Sequence, residues 1–242
     1  MEINMRKKIS VAMAAYNGEN YIKEQIKSIL VNLTEGDELI ISLDPSNDKT
    51  SEIIQSFSDE RIKLLKGPGK GLIYNFENAI KHTHNDIIFL SDQDDIWVQN
   101  KVDLVLKAFE DSSTNVVLHD AKIVDKNLEV LSESFFKDHR TKLGVLNNII
   151  RNSYIGCCMA FRKEMKEYIL PFPSKLPMHD QWIGLIGELH GKNVMLDDPL
   201  ILYRRHGSNM SSTEHSNILQ MIKWRFQIIS AVCMHKRKCN KL

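Results

Sequence analysis

Paired cysteines and long apolar runs are both scarce in this chain of 242 residues. Its four cysteines, Cys157, Cys158, Cys233 and Cys239, form no C-x-x-C pair, so the spacing indicates neither a zinc site nor a disulfide framework. A reducing cytoplasm is the compartment we expect. No window approaches the roughly eighteen apolar residues of a membrane span, and the apolar stretch near the N-terminus is too short for a signal peptide.

A charge imbalance is also lacking, since 32 Lys and Arg face 31 Asp and Glu for a formal net charge of +1. This balance removes the usual argument for nucleic acid as a partner, because nucleic-acid-binding proteins carry a basic stripe. No linker, low-complexity tract or repeat interrupts the chain, so we predict a single domain over residues 1–242. Any electrostatic function must therefore come from a local cluster of charges.

The first 112 residues alternate between short β-like runs and helix-periodic segments. Strands are predicted at residues 9–15, 38–43, 61–65 and 87–90, and helices at 21–33, 48–57, after the glycine-rich turn 67–71, and at 98–109. This order predicts an α/β fold with a mostly parallel central sheet flanked by helices. Ligands in such sheets gather at the carboxyl ends of the strands, so the residues that follow each strand are candidate site residues.

Residues 113–215 contain shorter β-like runs, which predict a smaller β region. These runs lie at 116–119, 122–124, 128–131, 157–162, 193–196 and 200–204, with helical segments at 143–150 and 178–191. Residues 216–242 are predicted to form an amphipathic helix with a basic end. Such a helix suits peripheral contact with a membrane, completion of the fold or a homodimer contact.

The strand predicted at 87–90 runs directly into three carboxylates, Asp92, Asp94 and Asp95. Asp92 and Asp94 are two residues apart, so in an extended chain they point the same way, and adjacent carboxylates repel unless a metal or a proton separates them. Oxygen ligands in a D-x-D arrangement favour Mg²⁺ or Mn²⁺, which usually bridge a protein to a substrate phosphate. An acidic turn that caps the following helix is the alternative.

Further candidates follow the other strands. Tyr16 and Asn17 end the first strand, and Asp44 ends the second, where it either contacts a base or ribose or forms an Asx turn before Pro45. Lys70 lies in the glycine-rich turn, which lacks the GKS/T of a P-loop. It either meets a phosphate or is solvated.

The segments AYNGENYIKEQIKSIL, ISLDPSNDKT and SDQDDIW resemble, in this order, the family 2 glycosyltransferases, which are inverting enzymes with the GT-A fold. The resemblance covers nearly the whole chain. It is closest to the bacterial branch that builds lipopolysaccharide O-antigen, capsule and other surface polysaccharides, because a Gly-Cys strand, HDQW and YRRHGSN follow in the same order.

The resemblance implies a nucleotide-binding half, residues 1–112, and an acceptor half, residues 113–215. Its donor side would comprise a nucleoside pocket lined by Tyr16 and Asp44, and a D-x-D element formed by Asp92 and Asp94. Asn17 and Lys70, which are candidates because of their positions after the strands, would lie on the same donor side. Asp94 would then touch the metal, Asp92 the ribose or metal, and Asp95 would support them or reach the donor sugar. The resemblance also makes His206 a diphosphate or metal contact, assisted by Arg204 or Arg205, unless this basic strand end simply faces solvent.

The resemblance identifies Asp180 as the catalytic base, which takes a proton as an acceptor hydroxyl attacks the anomeric carbon. At a helix start the dipole is expected to lower its pKa; a plain N-cap is the alternative. His179 and Trp182 fall on the acceptor side, where Trp182 either stacks on a sugar or packs in the core. Gly156 and Cys157 would let their strand approach a sugar closely.

Two departures from the family pattern shape the functional prediction. The usual Asp-Asp-Gly-Ser run is Leu43-Asp44-Pro45-Ser46 here, which motivates the alternative of a catalytically silent nucleotide-sugar-binding subunit. The Q-x-x-R-W element of processive synthases is absent, which favours transfer of a single sugar. A nucleotidyltransferase is a third hypothesis, but it would usually need a glycine-rich basic loop where this chain has AAYNGENY.

The resulting prediction is a hexosyl- or rhamnosyltransferase that depends on Mn²⁺ or Mg²⁺. It would move one sugar from a UDP- or dTDP-sugar to a saccharide or lipid-linked acceptor. It would act in the cytoplasm or at the inner face of the membrane.

Overall fold

A computed structural model describes residues 6–207 and 217–239 of the chain. The strands are β1 Ile9–Ala15, β2 Glu38–Leu43, β3 Ile62–Lys66, β4 Ile87–Ser91, β5 Ile96–Trp97, β6 Thr114–Val124, β7 Val130–Ser132, β8 Met159–Arg162 and β9 Lys192–Arg204. The helices are α1 Ile22–Asn32, α2 Thr50–Gln55, α3 Leu72–Lys81, α4 Lys101–Ala108, α5 Phe135–His139, α6 Val145–Ile150, α7 Met165–Ile169, α8 His179–His190 and α9 Ile218–Cys239, with a 3-10 turn at Gly156–Cys158.

The described strands pair into one sheet in the order β3-β2-β1-β4-β8-β6-β9-β5, with β7 attached to β6. Strands β3, β2, β1 and β4 are parallel, as the alternation of strands and helices predicts. Strand β8 is antiparallel to both β4 and β6, so it joins the two halves into one sheet. The carboxyl ends of β1, β2 and β4 therefore meet at one edge, where ligands of such sheets bind.

Alternation along β1 explains why helices cover both faces of the sheet. Ile9, Val11 and Met13 belong to a core shared with α1, α2 and α4. Ala12 and Ala14 point the other way, into a core shared with α3, α8 and α9. Successive strand residues face opposite sides, so a strand that is apolar at every position must be buried on both faces.

Several predicted boundaries are wrong in the second half. The runs 116–119 and 122–124 are parts of β6, and 193–196 and 200–204 are parts of β9, because the ladder between these two strands continues through irregular register steps near Asp120 and Pro199. The strand predicted at 157–162 starts with the 3-10 turn and pairs only from Met159. Polar residues at these steps break the apolar pattern without ending the backbone pairing.

The C-terminal helix is confirmed over Ile218–Cys239, while residues 216 and 240–242 of the predicted segment lie outside the described residues. Ile228, Ala231 and Val232 pack into the second core. None of the helices described for residues 6–207 and 217–239 is long and apolar enough to cross a bilayer. The domain boundaries at 1–112 and 113–215 stay a prediction.

Candidate active site

The loop after β1 and the acidic loop after β4 are joined by Gln93. Its side-chain amide accepts a hydrogen bond from the Tyr16 N–H at 2.9 Å and donates one to the Tyr16 carbonyl at 2.8 Å. Gly18 makes this contact feasible, because a Cβ there would lie 2.3 Å from the Gln93 amide oxygen. Gln93 thus fixes the acidic loop against the first loop, a role that the sequence analysis did not predict.

Asn17 joins the first loop to the loop after β2. Its N–H donates to Ser46 Oγ, and its side-chain oxygen accepts from the Asn47 N–H. The backbone of Asn17 has a φ of 45°, a left-handed conformation that Asn tolerates. The predicted site residue therefore orders two loops, and it leaves the neighbouring Tyr16 ring 52% exposed at the sheet edge.

Asp44 organises the glycine-rich turn. Its buried carboxylate accepts hydrogen bonds from the N–H groups of Gly69 and Gly71, and a Cβ on Gly67 would lie 2.4 Å from its oxygen. Lys70 is exposed on the same turn. In the structure the Asp44 carboxylate therefore binds the backbone of the glycine-rich turn. This contact is neither the predicted nucleoside contact nor the predicted Asx turn.

The three acids after β4 make different contacts. Strand β4 ends at Ser91, so the extended-chain argument for Asp92 and Asp94 is wrong. Asp94 pairs with His206, with 2.9 Å between the carboxylate oxygen and Nε2. Asp92 groups instead with Asp95 and Cys157, and one ligand atom from each of these three lies within 4.8 Å of the others.

Burial dominates the electrostatics of this acid cluster, Asp92, Asp94 and Asp95. It raises the pKa of Asp95 to about 7, and the charge of Asp94 adds to the effect. The pKa of Asp92 is raised well above its usual value by burial and then by the charges of Asp94, Asp95 and Asp180. Burial also raises the pKa of Asp94, although His206 opposes it. For these three carboxylates the cost of burial and their mutual repulsion therefore outweigh the stabilising contacts.

Of the two predicted arginines, Arg204 reaches the acid cluster. Its backbone N–H donates to the Asp95 carboxylate at 3.0 Å, its side-chain Nε donates to the Asp94 carbonyl at 2.9 Å, and its guanidinium pairs with Glu24 at 2.8 Å. The Arg205 guanidinium lies over the ring of Tyr203.

Lys101 is a further site residue that the sequence analysis missed. Its ammonium donates to the Cys157 carbonyl at 3.2 Å and lies 4.0 Å above the Trp97 ring. Burial lowers the pKa of Lys101 to about 8, although the neighbouring Asp95 and cysteines oppose this. The sequence did contain a signal that Lys101 is buried. It lies four residues before Val105, which places both side chains on the inward side of α4.

The donor set suits a divalent cation. One buried oxygen of Asp95 has no hydrogen-bond partner among the described residues. Carboxylate oxygens match the ligand preferences of both Mn²⁺ and Mg²⁺. The acid cluster with His206 therefore fits the metal that the D-x-D pattern predicts.

Asp180 lies in the first turn of α8 and is 6% exposed. It is not the N-cap, because the helix begins at His179 after Met178. Burial raises the pKa of Asp180 to about 6, although hydrogen bonds from the backbone of Gln181 and the side chain of Asn152 oppose this. The expected lowering by the helix dipole is therefore wrong, because desolvation of the carboxylate outweighs it.

His179 and Trp182, both predicted on the acceptor side, are buried. His179 stacks on Phe76 with 4.1 Å between ring centroids, and neither ring nitrogen has a hydrogen-bond partner among the described residues. Burial lowers its pKa to about 3, so the ring is neutral. A Cβ on Gly156 would lie 2.9 Å from His179 Nε2, so this glycine lets the two segments approach. Trp182 packs in the core and donates to the Ile169 carbonyl, which favours packing over sugar stacking.

Comparison with known proteins gives two informative bacterial relatives. The chain is 25% identical over 213 residues to the UDP-Glc:alpha-D-GlcNAc-diphosphoundecaprenol beta-1,3-glucosyltransferase WfgD of Escherichia coli, covering 87% of this chain and 82% of WfgD. It is 28% identical over 222 residues to the dTDP-rhamnosyl transferase RfbG of Shigella flexneri, covering 81% of this chain and 72% of RfbG.

Solved structures confirm the fold. S. aureus TarS 1-349 in complex with UDP-GlcNAc matches with a TM-score of 0.70 at 20% identity, covering 93% of this chain and 67% of that one. The mannosyltransferase PcManGT of Pyrobaculum calidifontis, in complex with GDP-Man and Mn²⁺, matches with a TM-score of 0.62 at 15% identity, covering 99% of this chain and 66% of that one. The predicted GT-A fold is therefore confirmed.

The profile of "Glycosyl transferase family 2" matches residues 10–170. This range begins in β1, contains the acid cluster and ends just before the segment that leads to Asp180. Together with the two bacterial relatives, the match confirms the predicted family and its bacterial branch. Because the profile spans most of the chain, this protein belongs to the family 2 glycosyltransferases.

Proposed function

We propose that this protein transfers one hexosyl or rhamnosyl unit, with inversion, from a UDP- or dTDP-sugar to a saccharide or lipid-linked acceptor in bacterial surface polysaccharide synthesis. The observation that carries the proposal is the position of Gly156 and Cys157 between Asp180 and the acid cluster. A Cβ on Gly156 would lie 3.7 Å from the Asp180 Cβ, and the neighbouring Cys157 thiol lies within 4.8 Å of carboxylate oxygens of Asp92 and Asp95. A candidate base on α8 and the acid cluster after β4 therefore share one space. An inverting transferase needs this arrangement, with a base on one side of the sugar and a metal-bound diphosphate on the other.

In the proposed reaction an acceptor hydroxyl oxygen bonds to the anomeric carbon as the bond from that carbon to the diphosphate oxygen breaks. Asp180 takes the hydroxyl proton, and the nucleoside diphosphate leaves with the bonding electrons. Asp94, Asp92 and His206 would hold a divalent cation, which offsets the charge of the departing diphosphate. Asp95 and Arg204 keep the acid loop in place through the hydrogen bond between them.

The donor contacts would come from the loops at the same edge. The exposed Tyr16 ring is available to stack on the base, and Lys70 is available to meet the diphosphate. Asn17 and Asp44 would act by ordering the loops that carry these two groups. Arg205, half-buried beside Tyr203, would contribute positive charge near the diphosphate. Gly156 and Cys157 would line the sugar side, and the buried His179 would position Asp180.

The acceptor would be bound to a lipid, and α9 would lie against the membrane that holds it. Ile218, Leu219 and Phe226 on this helix are 71%, 74% and 69% exposed. Lys223 and Lys236 are exposed on the same helix, so apolar and basic side chains lie together. This combination binds the surface of an anionic bilayer. A GlcNAc-diphospholipid is the first acceptor to test, since WfgD is named for one.

Asp180→Asn tests the catalytic assignment. Transfer should fall by about 10²- to 10⁴-fold, the usual contribution of a general base, while donor binding stays within about twofold. Asp198→Asn, an exposed acid on β9, is the matched control and should retain full activity. Transfer by Asp180→Asn at close to the original rate would show that the base lies elsewhere.

A nucleotide panel tests the donor side. Binding of UDP, dTDP, GDP and CDP should be measured with and without Mn²⁺, on the native chain and on Asp94→Asn. We expect Mn²⁺-dependent binding of UDP or dTDP that is lost in the variant. Metal-dependent nucleotide binding without transfer to any lipid-linked acceptor would favour the silent-subunit alternative, which the Leu43-Asp44-Pro45 departure motivates.

A further inference from the structure

Three potential metal ligands meet where α8 and α9 end, away from the acid cluster. His190 is the last residue of α8, and His235 and Cys239 lie one turn apart on α9. One ligand atom from each of the three lies within 4.8 Å of the other two. Asp180 is ten residues before His190 on the same helix, which corresponds to about 15 Å along its axis. This cluster is therefore separate from the proposed catalytic site.

The distances in the cluster are close to those of a zinc site. Zn–N distances of about 2.0–2.1 Å and Zn–S distances of about 2.3 Å place tetrahedral ligands about 3.4 Å apart for two nitrogens and about 3.6 Å for nitrogen and sulfur. Cys239 Sγ lies 3.5 Å from His235 Nε2, which already fits. The two Nε2 atoms of His190 and His235 are 2.6 Å apart, so the rings would separate by less than about 1 Å to admit the ion.

Neighbouring aromatic rings hold both imidazoles. Tyr168 stacks on His190 with 3.9 Å between ring centroids. Trp182 meets His235 edge to face at 5.7 Å. These packed rings limit the rotation of the two imidazoles, so the imidazoles lose little conformational entropy when they bind a metal. The C-terminal end of α8 also favours positive charge, because the helix dipole is negative there.

We propose that His190, His235 and Cys239 bind one Zn²⁺ ion that fastens the end of α9 to α8. The two imidazoles coordinate through their Nε2 lone pairs, the Cys239 thiol releases its proton to solvent as its sulfur bonds to the metal, and water fills the fourth position. The cysteine spacing excluded only C-x-x-C zinc sites. A site built from one cysteine and two histidines on different helices becomes apparent only in the folded chain.

Cobalt titration of the chelator-treated full-length protein tests the proposal, because a thiolate bound to Co²⁺ gives a sulfur-to-metal charge-transfer band. The native chain should show this band at one equivalent, and Zn²⁺ should displace it. Cys239→Ser should remove the band, and His190→Gln should weaken Co²⁺ binding by at least about 100-fold, since even supporting residues of metal sites contribute about 10- to 100-fold. Cys233→Ser, an exposed cysteine on the same helix, is the control and should keep the band.

Cys157 in the acid cluster is the other thiol beside candidate ligands, so Cys157→Ser distinguishes the two sites. The proposal requires that this variant retain the band. If Cys157→Ser loses the band while Cys239→Ser keeps it, the thiolate belongs to the acid cluster and the α8–α9 site is refuted. A native chain without any charge-transfer band would also refute it and would leave a hydrogen-bonded histidine pair.

Discussion

Asp180 has to be a base at working pH although burial raises its pKa. The carboxylate is held by Asn152 and by the backbone of Gln181, and these contacts limit the effect of burial so that its pKa is about 6. A base with a pKa just below neutral is ionised at pH 7 and still accepts a proton readily. Burial therefore brings the pKa of Asp180 close to neutral and at the same time shields the carboxylate from water.

This pKa predicts an acidic limb in the pH dependence of transfer. The ionised form is the active one, so kcat/KM should rise with pH through about 6 and level off above it. The measurement is transfer between pH 5 and 8 at constant Mn²⁺. Donor binding at each pH is the control, because Asp95 titrates near 7 beside the proposed metal. A transfer rate that is flat across this range, with constant donor binding, would contradict the assignment.

At the scale of elements, Glu38 links the parallel strands at their amino ends. It lies at the start of β2 and bonds Ser10 on β1, Lys63 on β3 and His84 in the loop before β4. Burial raises the pKa of Glu38, but the bonds from Lys63, Ser10 and His84 outweigh burial and lower it to about 2. One carboxylate thus stabilises the alignment of four neighbouring strands.

The lowered pKa predicts an acid-sensitive contribution to stability. The folded state binds this proton less readily than the unfolded state, so the stabilisation is complete above pH 4.5 and is lost as the pH falls from 4.5 towards 2. Glu38→Gln should lower the free energy of unfolding at pH 7 by about 1–2 kcal/mol, allowing for the partly exposed Lys63, and by less at pH 3. Denaturant unfolding at both pH values checks this. An equal loss at both would show that the charge is irrelevant.

The exposed face of α9 predicts binding to anionic membranes. Phe226→Ser together with Leu219→Ser should reduce co-sedimentation with vesicles that contain phosphatidylglycerol, because both apolar side chains are largely exposed. Val31→Ser, which removes an equally exposed apolar residue from α1, is the matched control and should bind as the native chain does. Equal binding by the native chain, the double variant and Val31→Ser would show that this face of α9 does not contact the membrane.

At the scale of the whole molecule, Arg204 joins segments that are far apart in sequence. Besides the acid cluster and Glu24, its guanidinium donates to the Lys126 carbonyl and lies over the Tyr21 ring. The residue is 3% exposed, so its charge is compensated almost entirely by the protein. It therefore couples the end of β9 to the loops that carry the proposed donor site.

Arg204→Gln should damage both stability and metal-dependent nucleotide binding. The variant loses the guanidinium bonds to the Asp94 and Lys126 carbonyls and the pair with Glu24, but it keeps the backbone bond to Asp95. Because the Glu24 side chain is 55% exposed, the loss of stability should be smaller than for a fully buried pair, which costs about 3–5 kcal/mol. We expect a lower melting temperature and at least about tenfold weaker binding of the nucleotide with Mn²⁺. Arg151→Gln, which changes an exposed arginine at the end of α6, is the control and should change stability and binding little. Native-like stability and binding in Arg204→Gln would contradict this coupling.

Much of the first half could be predicted from local sequence. Strands such as Ile9–Ala15 and Ile87–Ser91 are apolar at nearly every position, which is typical only of strands covered on both faces. The amphipathic spacing of α1 and the order of the motifs then predicted the parallel sheet and the family. The spacing of apolar residues and the order of motifs are properties of the sequence itself, so they can be recognised without knowledge of tertiary contacts.

Tertiary structure alone decided which side chains face one another. Arg204 rather than Arg205, the pairing of Asp94 with His206, and the buried positions of Lys101 and Trp182 all depend on how β9, α4 and α8 pack around the acid loop. The direction of the Asp180 pKa shift had the same origin, because desolvation depends on neighbours that are distant in sequence. Sequence determined the elements and the chemistry available to them, and long-range packing determined the distances and burial on which that chemistry depends.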